Sequence, residues 1–235
     1  MRRQNITIHG STGTIGQNAL SVISKSSNKH KVFALSAKSK IKTLFSQIKK
    51  FSPKYAVVLN ENKANDLSTL CVKNNITTKI LFGADSYDII SSDKRVDCVL
   101  SGISGTSALR PTYAAIKSGK KLLLANKESI IMSGELMLKA AQQSGSKIIP
   151  IDSEHNALFQ ILSPLFKNSE IDLKQRHEIS KIILTASGGP FLNYHKRDLK
   201  HVTPNQATKH PNWKMGKKIS IDSATMMNKG LEIIE

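Results

Sequence analysis

The chain opens on a stretch that few folds can accommodate. Asn5-Ile6-Thr7-Ile8-His9 is a short, β-branched run, Gly10-Ser11-Thr12-Gly13-Thr14-Ile15-Gly16 comes next, and Gln17 to Ile23 has the spacing of a helix. Three glycines spaced by three between a strand and a helix bring bare backbone against a pyrophosphate, whose charge is stabilised at the helix N-terminus. Gly10 is expected to make the tight turn, Gly13 to let the backbone approach the phosphates, and Gly16 to let the helix pack closely on the strand. The bland alternative is a glycine-rich turn with no ligand. The strand before it and the helix after it favour a dinucleotide.

The second strand bears on which dinucleotide. NAD-preferring sites place an Asp or Glu at the end of that strand, roughly twenty residues after the glycines, to hold the ribose hydroxyls. Here the second strand, Lys31-Val32-Phe33-Ala34-Leu35-Ser36-Ala37, runs into Lys38-Ser39-Lys40, and no acidic residue occurs before Glu61. The reading is therefore NADP(H), with Lys38 and Ser39 contacting the 2′-phosphate. The competing reading is a solvated turn in a lysine-rich chain.

At 235 residues and 39% hydrophobic, the chain can bury a sizeable core. Its formal charge of +18, from 35 Lys+Arg against 17 Asp+Glu, raises nucleic acid or an anionic membrane as partners. Both are set aside. The lysines are scattered over helical faces rather than gathered in a stripe, and at 5% aromatic the chain has no stacking platform for bases. Cys71 and Cys98 each lie in an apolar stretch, as reduced core residues do, and no metal-type cysteine spacing occurs. Met1-Arg2-Arg3 leads at once into the first strand, and no apolar run approaches membrane-spanning length, so a soluble, cytoplasmic protein is expected.

Strands are expected at Asn5–His9, Lys31–Ser36, Tyr55–Leu59, Ile80–Phe82, Cys98–Leu100, Lys121–Leu124 and Lys147–Ile151, with amphipathic stretches such as Ile41–Phe51 and Glu135–Ser144 between them. Such alternation implies a parallel sheet with crossover helices. The fold class is α/β, with a doubly wound, Rossmann-like NADPH domain over residues 1–151 and a partial α+β catalytic domain over 152–235. In the second part a helix is expected at Asn156–Leu162, then a polar stretch to Ser180, a strand Lys181–Ala186, a Pro/His/Lys-rich loop, a strand Lys218–Ile221, and a closing helix Thr225–Glu235. That last helix has no capping residue after it, so the chain is expected to be cut short within its second domain.

Asp152-Ser153-Glu154 places two carboxylates at a strand's C-terminal end, where open α/β sheets bind ligands. Oxygen-only ligands suit Mg²⁺ or Mn²⁺. Alternatively Asp152 or Ser153 caps the helix after it. Glu232 is the candidate third ligand, on a helix face it can share with Asn228 and Lys229. Two expected strand exits carry serines, Ser187 before Gly188-Gly189 and Ser223 after Asp222. With Asn228 and Lys229 these supply enough donors for a phosphate monoester, although each alone is an ordinary turn or cap. Between them His210-Pro211-Asn212-Trp213 holds the chain's only tryptophan in a polar segment, which either anchors a loop or forms a lid over substrate.

These residues resemble the 1-deoxy-D-xylulose 5-phosphate reductoisomerase family. The matching stretches are the Gly10–Gly16 loop, Leu123-Leu-Ala-Asn-Lys-Glu-Ser129, Pro150-Ile-Asp-Ser-Glu-His-Asn156, Thr185-Ala-Ser-Gly-Gly-Pro-Phe191, His210-Pro-Asn-Trp213 and Asp222-Ser-Ala-Thr-Met-Met-Asn-Lys-Gly-Leu-Glu232. The resemblance implies NADPH as cofactor and a divalent metal, Mg²⁺ or Mn²⁺, on Asp152, Glu154 and Glu232. It implies a small phosphorylated sugar as substrate, held by Ser153, Ser187, Ser223, Asn228, Lys229 and Glu232, with His210 and Trp213 in the lid. Ser153, Glu154, His210 and Lys229 would then be the catalytic groups. The cofactor would lie along Gly10, Ser11, Thr12, Gly13, Thr14, Ile15 and Gly16, with Lys38 on the adenosine phosphate, Asn126 and Glu128 on the nicotinamide-ribose side, and Ala37, Ser39, Lys127 and Gly216 also among the cofactor contacts. The reaction implied is a metal-assisted carbon-skeleton rearrangement and then hydride transfer from NADPH. A homodimer is implied for full-length members, which continue past the equivalent of Glu235.

Three other readings compete: another NADP-dependent dehydrogenase, which would need a catalytic cysteine in a loop; a non-catalytic NADPH-binding fragment; and, last, a basic nucleic-acid binder.

Overall fold

Why strands and helices alternate here is visible in where each strand sits. The computed structural model describes residues 2–162, 166–167, 170–171, 179–213 and 215–234. It divides into two compact units, Met1–Asp152 and Ser153–Glu235. In the first, β1 (Gln4–His9), β2 (His30–Ala37), β3 (Tyr55–Val58), β4 (Lys79–Phe82), β5 (Cys98–Ser101), β6 (Lys121–Leu124) and β7 (Ile148–Pro150) form one sheet in the order β4-β3-β2-β1-β5-β6-β7. Every pairing is parallel. A parallel sheet is covered on both faces, and accordingly β2, β3 and β5 are buried almost residue for residue.

Helices α1 (Thr14–Lys25), α2 (Ile41–Phe51) and α3 (Glu61–Lys73) cover one face. Leu20, Leu44, Ile48 and Leu67 pack there against Ile6, Ile8, Leu35 and Val58. Helices α4 (Ala84–Ser92), α5 (Leu109–Lys117) and α6 (Lys127–Ser144) cover the other, where Ile90, Ile116 and Met137 meet Val57, Val99 and Leu122. Phe33 is an extra residue in β2: the register steps from Ile6 opposite Val32 to Thr7 opposite Ala34. Phe33 and Ala34 consequently face the same layer. Cys71 and Cys98 are buried and unbridged, and burial pushes the Cys98 thiol up to about 11.

On β1 the residues facing α4 are polar. Thr7 Oγ1 donates to the Ile90 carbonyl at 2.9 Å, and His9 is wholly buried. Ser91 Oγ donates to the Tyr87 carbonyl at 2.8 Å, so it must accept from His9 Nε2, 2.7 Å away. His9 Nδ1 is then the acceptor for Ser36 Oγ at 3.2 Å, and the His9 ring stacks on Tyr87. Burial alone holds this imidazole neutral, pushing its pKa down to about 3.

The second unit contains α7 (Ser153–Leu162), a short antiparallel pair β8 (Phe166–Lys167) and β9 (Glu170–Ile171), α8 (Pro204–Ala207) closed by a Thr203–Gln206 capping box, α9 (Lys217–Ala224) and α10 (Met227–Ile234). Among its described residues no hydrophobic side chain is buried, whereas Ser220, Lys229 and Glu232 are.

Several expectations for this region are corrected. Lys181–Ala186 is not a strand: no described residue pairs with it, and Ile182 and Ile183 are 55% and 71% exposed. Its β-branched residues favour extension, but a strand exists only against a neighbour. Lys218–Ile221 is helix, inside α9, begun by Gly216 at the N-cap and braced by the Lys218–Asp222 pair at 2.7 Å, one turn apart. The closing helix starts at Met227 rather than Thr225. Thr225 ends α9, and Met226 has φ +60°, a left-handed turn between two helices. The helix expected from Asn156 begins at Ser153. The polar stretch to Ser180 contains the β8–β9 pair, and residues 163–165, 168–169 and 172–178 of it lie outside the described residues, as do Lys214 and Glu235.

Candidate functional site

The glycine loop lies where the sheet's strand order reverses, between β1 and β5. Gly10 has φ +67°, and a Cβ there would stand 2.6 Å from the Gly102 carbonyl oxygen in the loop after β5. A Cβ on Gly16 would stand 2.5 Å from the Gly10 carbonyl oxygen, which is how closely α1 sits on the loop. Gly13 is the roomiest of the three, its nearest atom lying at 3.3 Å. The first-turn amides of α1, at Thr14, Ile15 and Gly16, have no carbonyl within the helix to bond. Ser11 and Thr12 are buried within the loop. Ala37, the last residue of β2, is buried, while Lys38 and Ser39 just past it are exposed.

Asn126 caps α6 and is 1% exposed. Its Oδ1 accepts from Ser129 N at 2.8 Å and from Ser129 Oγ. Its Nδ2 donates to the carbonyls of Ile103 and Gly105 and to Glu128 Oε2, at 2.9, 3.1 and 2.8 Å. Asn126 thus fixes the loop after β5 and the side chain of Glu128 rather than projecting freely. Lys127 Nζ is 2.9 Å from Asp152 Oδ2, tying the start of α6 to the last residue of this unit. The half-buried Asp152 is therefore ion-paired.

In the second unit two glutamates meet at one ammonium. Lys229 Nζ donates to Glu154 Oε1 at 2.7 Å and also to Glu232 Oε2, while Asn228 Nδ2 donates to Glu232 Oε1 at 2.6 Å. Glu154 also accepts from Ser153 Oγ, and the Glu232 backbone carbonyl lies 3.2 Å from His155 Nε2. Burial raises the Glu154 carboxyl, but the hydrogen bonds from Lys229 and Ser153 together outweigh it and the pKa falls below the usual carboxylate value. Burial likewise works against the Lys229 charge, and its two carboxylate partners more than restore it. Glu232, only 5% exposed, is a buried carboxylate with one oxygen on the Lys229 ammonium and the other on the Asn228 amide. Such a donor set fits a hard divalent cation.

A second cluster joins Ser187, His210 and Ser223. His210 Nδ1 accepts from the amides of Asn212 and Trp213, each at 3.1 Å, so its proton is on Nε2, which donates to Ser187 Oγ at 3.1 Å. Ser187 Oγ lies 3.3 Å from Ser223 Oγ. Gly189, at φ +68°, allows this approach, since a Cβ there would meet the Ser223 carbonyl oxygen at 2.6 Å. The Trp213 ring stacks on His210 at 5.0 Å and is 59% exposed, on the surface rather than anchored in a core. Gly216 is the N-cap of α9. Ser223 belongs to α9 rather than to a strand exit, yet it reaches Ser187 all the same.

His9 and Gln47 were not anticipated from sequence. The signal for Gln47 was present: it is a polar residue one position from Ile48 on the buried stripe of α2.

A seven-stranded parallel sheet with a glycine loop at its reversal point defines a doubly wound α/β protein of the dinucleotide-binding class. Residues 6–134 match the 1-deoxy-D-xylulose 5-phosphate reductoisomerase family and residues 148–235 match its C-terminal domain family, and the chain belongs to this family. It is 48% identical over 233 residues to the 1-deoxy-D-xylulose 5-phosphate reductoisomerase of Acinetobacter baumannii, covering 99% of this chain and 58% of that protein. The Wigglesworthia glossinidia brevipalpis enzyme is 50% identical over 233 residues, with 98% and 59% covered. A crystal structure of DOX-P reductoisomerase in complex with NADPH, fosmidomycin and magnesium superimposes with a TM-score of 0.89 at 40% identity, covering 98% of this chain and 57% of that one. The Zymomonas mobilis enzyme in complex with NADPH gives 0.84 at 37% identity, with 99% and 57% covered. The chain thus spans a little under three fifths of the length of the relatives it matches. Among the described residues no helix is long and apolar enough to cross a membrane.

Proposed function

We propose that this chain carries the NADPH-binding part and the metal- and substrate-binding part of a 1-deoxy-D-xylulose 5-phosphate reductoisomerase, converting 1-deoxy-D-xylulose 5-phosphate to 2-C-methyl-D-erythritol 4-phosphate. The observation that carries the reading is the convergence of Glu154 and Glu232 on one cationic centre, in a chain whose first unit has a glycine loop shaped for a dinucleotide. Asp152, Glu154 and Glu232 would hold Mg²⁺ or Mn²⁺, which supplies Lewis-acid polarisation of the substrate's carbonyl and hydroxyl oxygens.

The chain's own groups do the rest. Ser153 donates to the sugar backbone. Ser187, Ser223, Asn228 and Lys229 grip the phosphate, and fixing that end holds the reacting carbons in register. Lys229 and Asn228 are engaged with the carboxylates, so they turn to the phosphate only when those carboxylates take a cation. His210 keeps Ser187 oriented through Nε2, and Trp213, exposed beside it, covers the substrate and excludes water. The Gly10–Gly16 loop, with Ser11, Thr12, Thr14 and Ile15, receives the pyrophosphate of NADPH. Ala37, Lys38 and Ser39 take the adenosine end, and Lys127, Gly216 and Glu128, whose side chain Asn126 braces, take the nicotinamide end. A cytoplasmic location and a homodimer for the complete enzyme belong to the same proposal.

The test is substrate-dependent NADPH oxidation in the presence of Mg²⁺ or Mn²⁺. Turnover that requires both metal and substrate supports the reading, and its absence alongside intact NADPH binding leaves the narrower one, a chain that binds NADPH without catalysis. That narrower reading draws on one feature: the described residues of the second unit bury no hydrophobic side chain. The dehydrogenase alternative loses ground, because neither cysteine lies in a loop and burial raises both thiols.

Lys38 gives a sharper expectation. NADPH should bind more tightly than NADH, and Lys38→Ala should remove about tenfold of NADPH affinity, the loss of one exposed-cation contact to a phosphate, while leaving NADH unchanged. Fluorescence titration of both nucleotides checks it, and equal affinities in the wild-type chain would remove Lys38 from the site.

A further inference from the structure

Behind the glycine loop stands a buried amide to which the proposed reaction gives no part. Gln47 projects from α2 and is 8% exposed, between Leu44 and Ile48 on the helix's buried face. Its Oε1 accepts from Ser11 Oγ at 2.7 Å, and its Nε2 donates to the Ser11 carbonyl oxygen at 2.8 Å. One side chain therefore grips both polar ends of a residue 36 positions away in sequence. A second glutamine acts on the next peptide: Gln17 Nε2 donates to the Thr12 carbonyl at 2.9 Å. The Ser11 amide is already committed to the Ser36 carbonyl at 2.9 Å, and the Gly13 amide to Gly10 at 2.9 Å.

A trans peptide is planar, with its N–H pointing opposite to its C=O. Holding the Ser11 carbonyl on Gln47 therefore fixes the direction of the Thr12 N–H, which must point away from α2. The neighbouring amides are already engaged, Ser11 with β2 and Gly13 within the loop, so Thr12 is the amide ahead of helix α1 whose direction Gln47 sets.

We propose that Gln47 is a positioning residue for the dinucleotide: through the Ser11–Thr12 peptide it presents the Thr12 N–H to the pyrophosphate. The inference rests on the reading of this loop as the NADPH site. Without the Gln47 amide, the Ser11 carbonyl is a buried acceptor that has lost its partner, and the peptide is free to rotate to find another.

Gln47→Met keeps the side chain's length and packing but loses both hydrogen bonds, and Gln47→Glu keeps the acceptor for Ser11 Oγ while losing the donor to the carbonyl. Both variants are to be titrated with NADPH and with adenosine 2′-monophosphate, which has no pyrophosphate, after thermal melting confirms that they are folded. The expected result is a loss of about tenfold or more in NADPH affinity for both variants, with adenosine 2′-monophosphate binding as in the wild-type chain. Ser11→Ala, which spares the carbonyl bond, should lose less than either. Unchanged NADPH affinity, or equal losses for the two ligands, overturns the role assigned to Gln47. A wild-type chain that binds adenosine 2′-monophosphate but not NADPH, or neither, overturns the reading of the loop on which it rests.

Discussion

Glu232→Gln should abolish measurable Mn²⁺ binding, whereas Lys229→Met should tighten it. The two expectations come from one geometry, in which Lys229 Nζ sits between Glu154 and Glu232 and neutralises a pair of carboxylates that burial would otherwise disfavour. Removing a carboxylate from a hard cation's ligand set should cost more than the roughly 10–100-fold seen when an outer hydrogen-bond partner is lost. Removing the ammonium leaves the carboxylates without their internal counter-ion, so a divalent cation no longer competes with it. Direct titration of Mn²⁺ by its electron paramagnetic resonance signal, without substrate, reads both. Weaker binding in Lys229→Met would show that the lysine supports the site rather than occupying its centre.

The second large effect concerns acid. His9 is wholly buried and neutral, with its pKa pushed down to about 3, while in the unfolded chain it titrates at about 6.5. The unfolded state therefore binds the extra proton as pH falls below about 6.5, and the folded state does not. Stability from this group is complete above that value and is lost progressively as pH falls toward about 3. Between pH 7 and pH 5 the difference amounts to about 2 kcal/mol. Denaturant unfolding of wild-type and His9→Leu chains at both pH values isolates it, since every other titrating group is common to the two. If both lose stability in parallel, the histidine is not held neutral.

The strands of the first unit were legible because each is a short run rich in apolar residues, most with β-branched ones among them, and burial on both faces favours that composition. The glycine loop was legible for a similar reason: only glycine tolerates the approach of Gly102 to Gly10 and of Gly10 to Gly16. Beyond Asp152 the pattern carried less. Lys218–Ile221 alternates as a strand does, but four residues do not separate a period of two from one of 3.6, and in the helix it forms Lys218 pairs with Asp222 one turn on. Lys181–Ala186 has the composition of a strand and no described neighbour to pair with. Glu154 and Lys229 could be named singly, but their bond spans 75 residues of sequence, and no local rule reports it. His9 and Gln47 escaped for the same reason. Each is one polar residue in an apolar stretch, made intelligible only by Ser36, Ser91 and Ser11 arriving from other elements.

The strand order has a consequence for synthesis on the ribosome. Reading from β1, the chain lays down β2, β3 and β4 outward on one side, each against the strand made just before it, and then returns to set β5 on the other side of β1 before adding β6 and β7 outward in turn. No strand emerges without a finished neighbour to receive it, so the sheet can grow in step with translation. The one long interval is borne by β1 itself: its second edge stays open until Cys98–Ser101 appears, and only then can the loop after β5 close against Gly10. A nascent chain halted before residue 98 is thus expected to hold four paired strands with the central one still open to misassociation, and the dinucleotide loop takes its final shape only when β5 is in place.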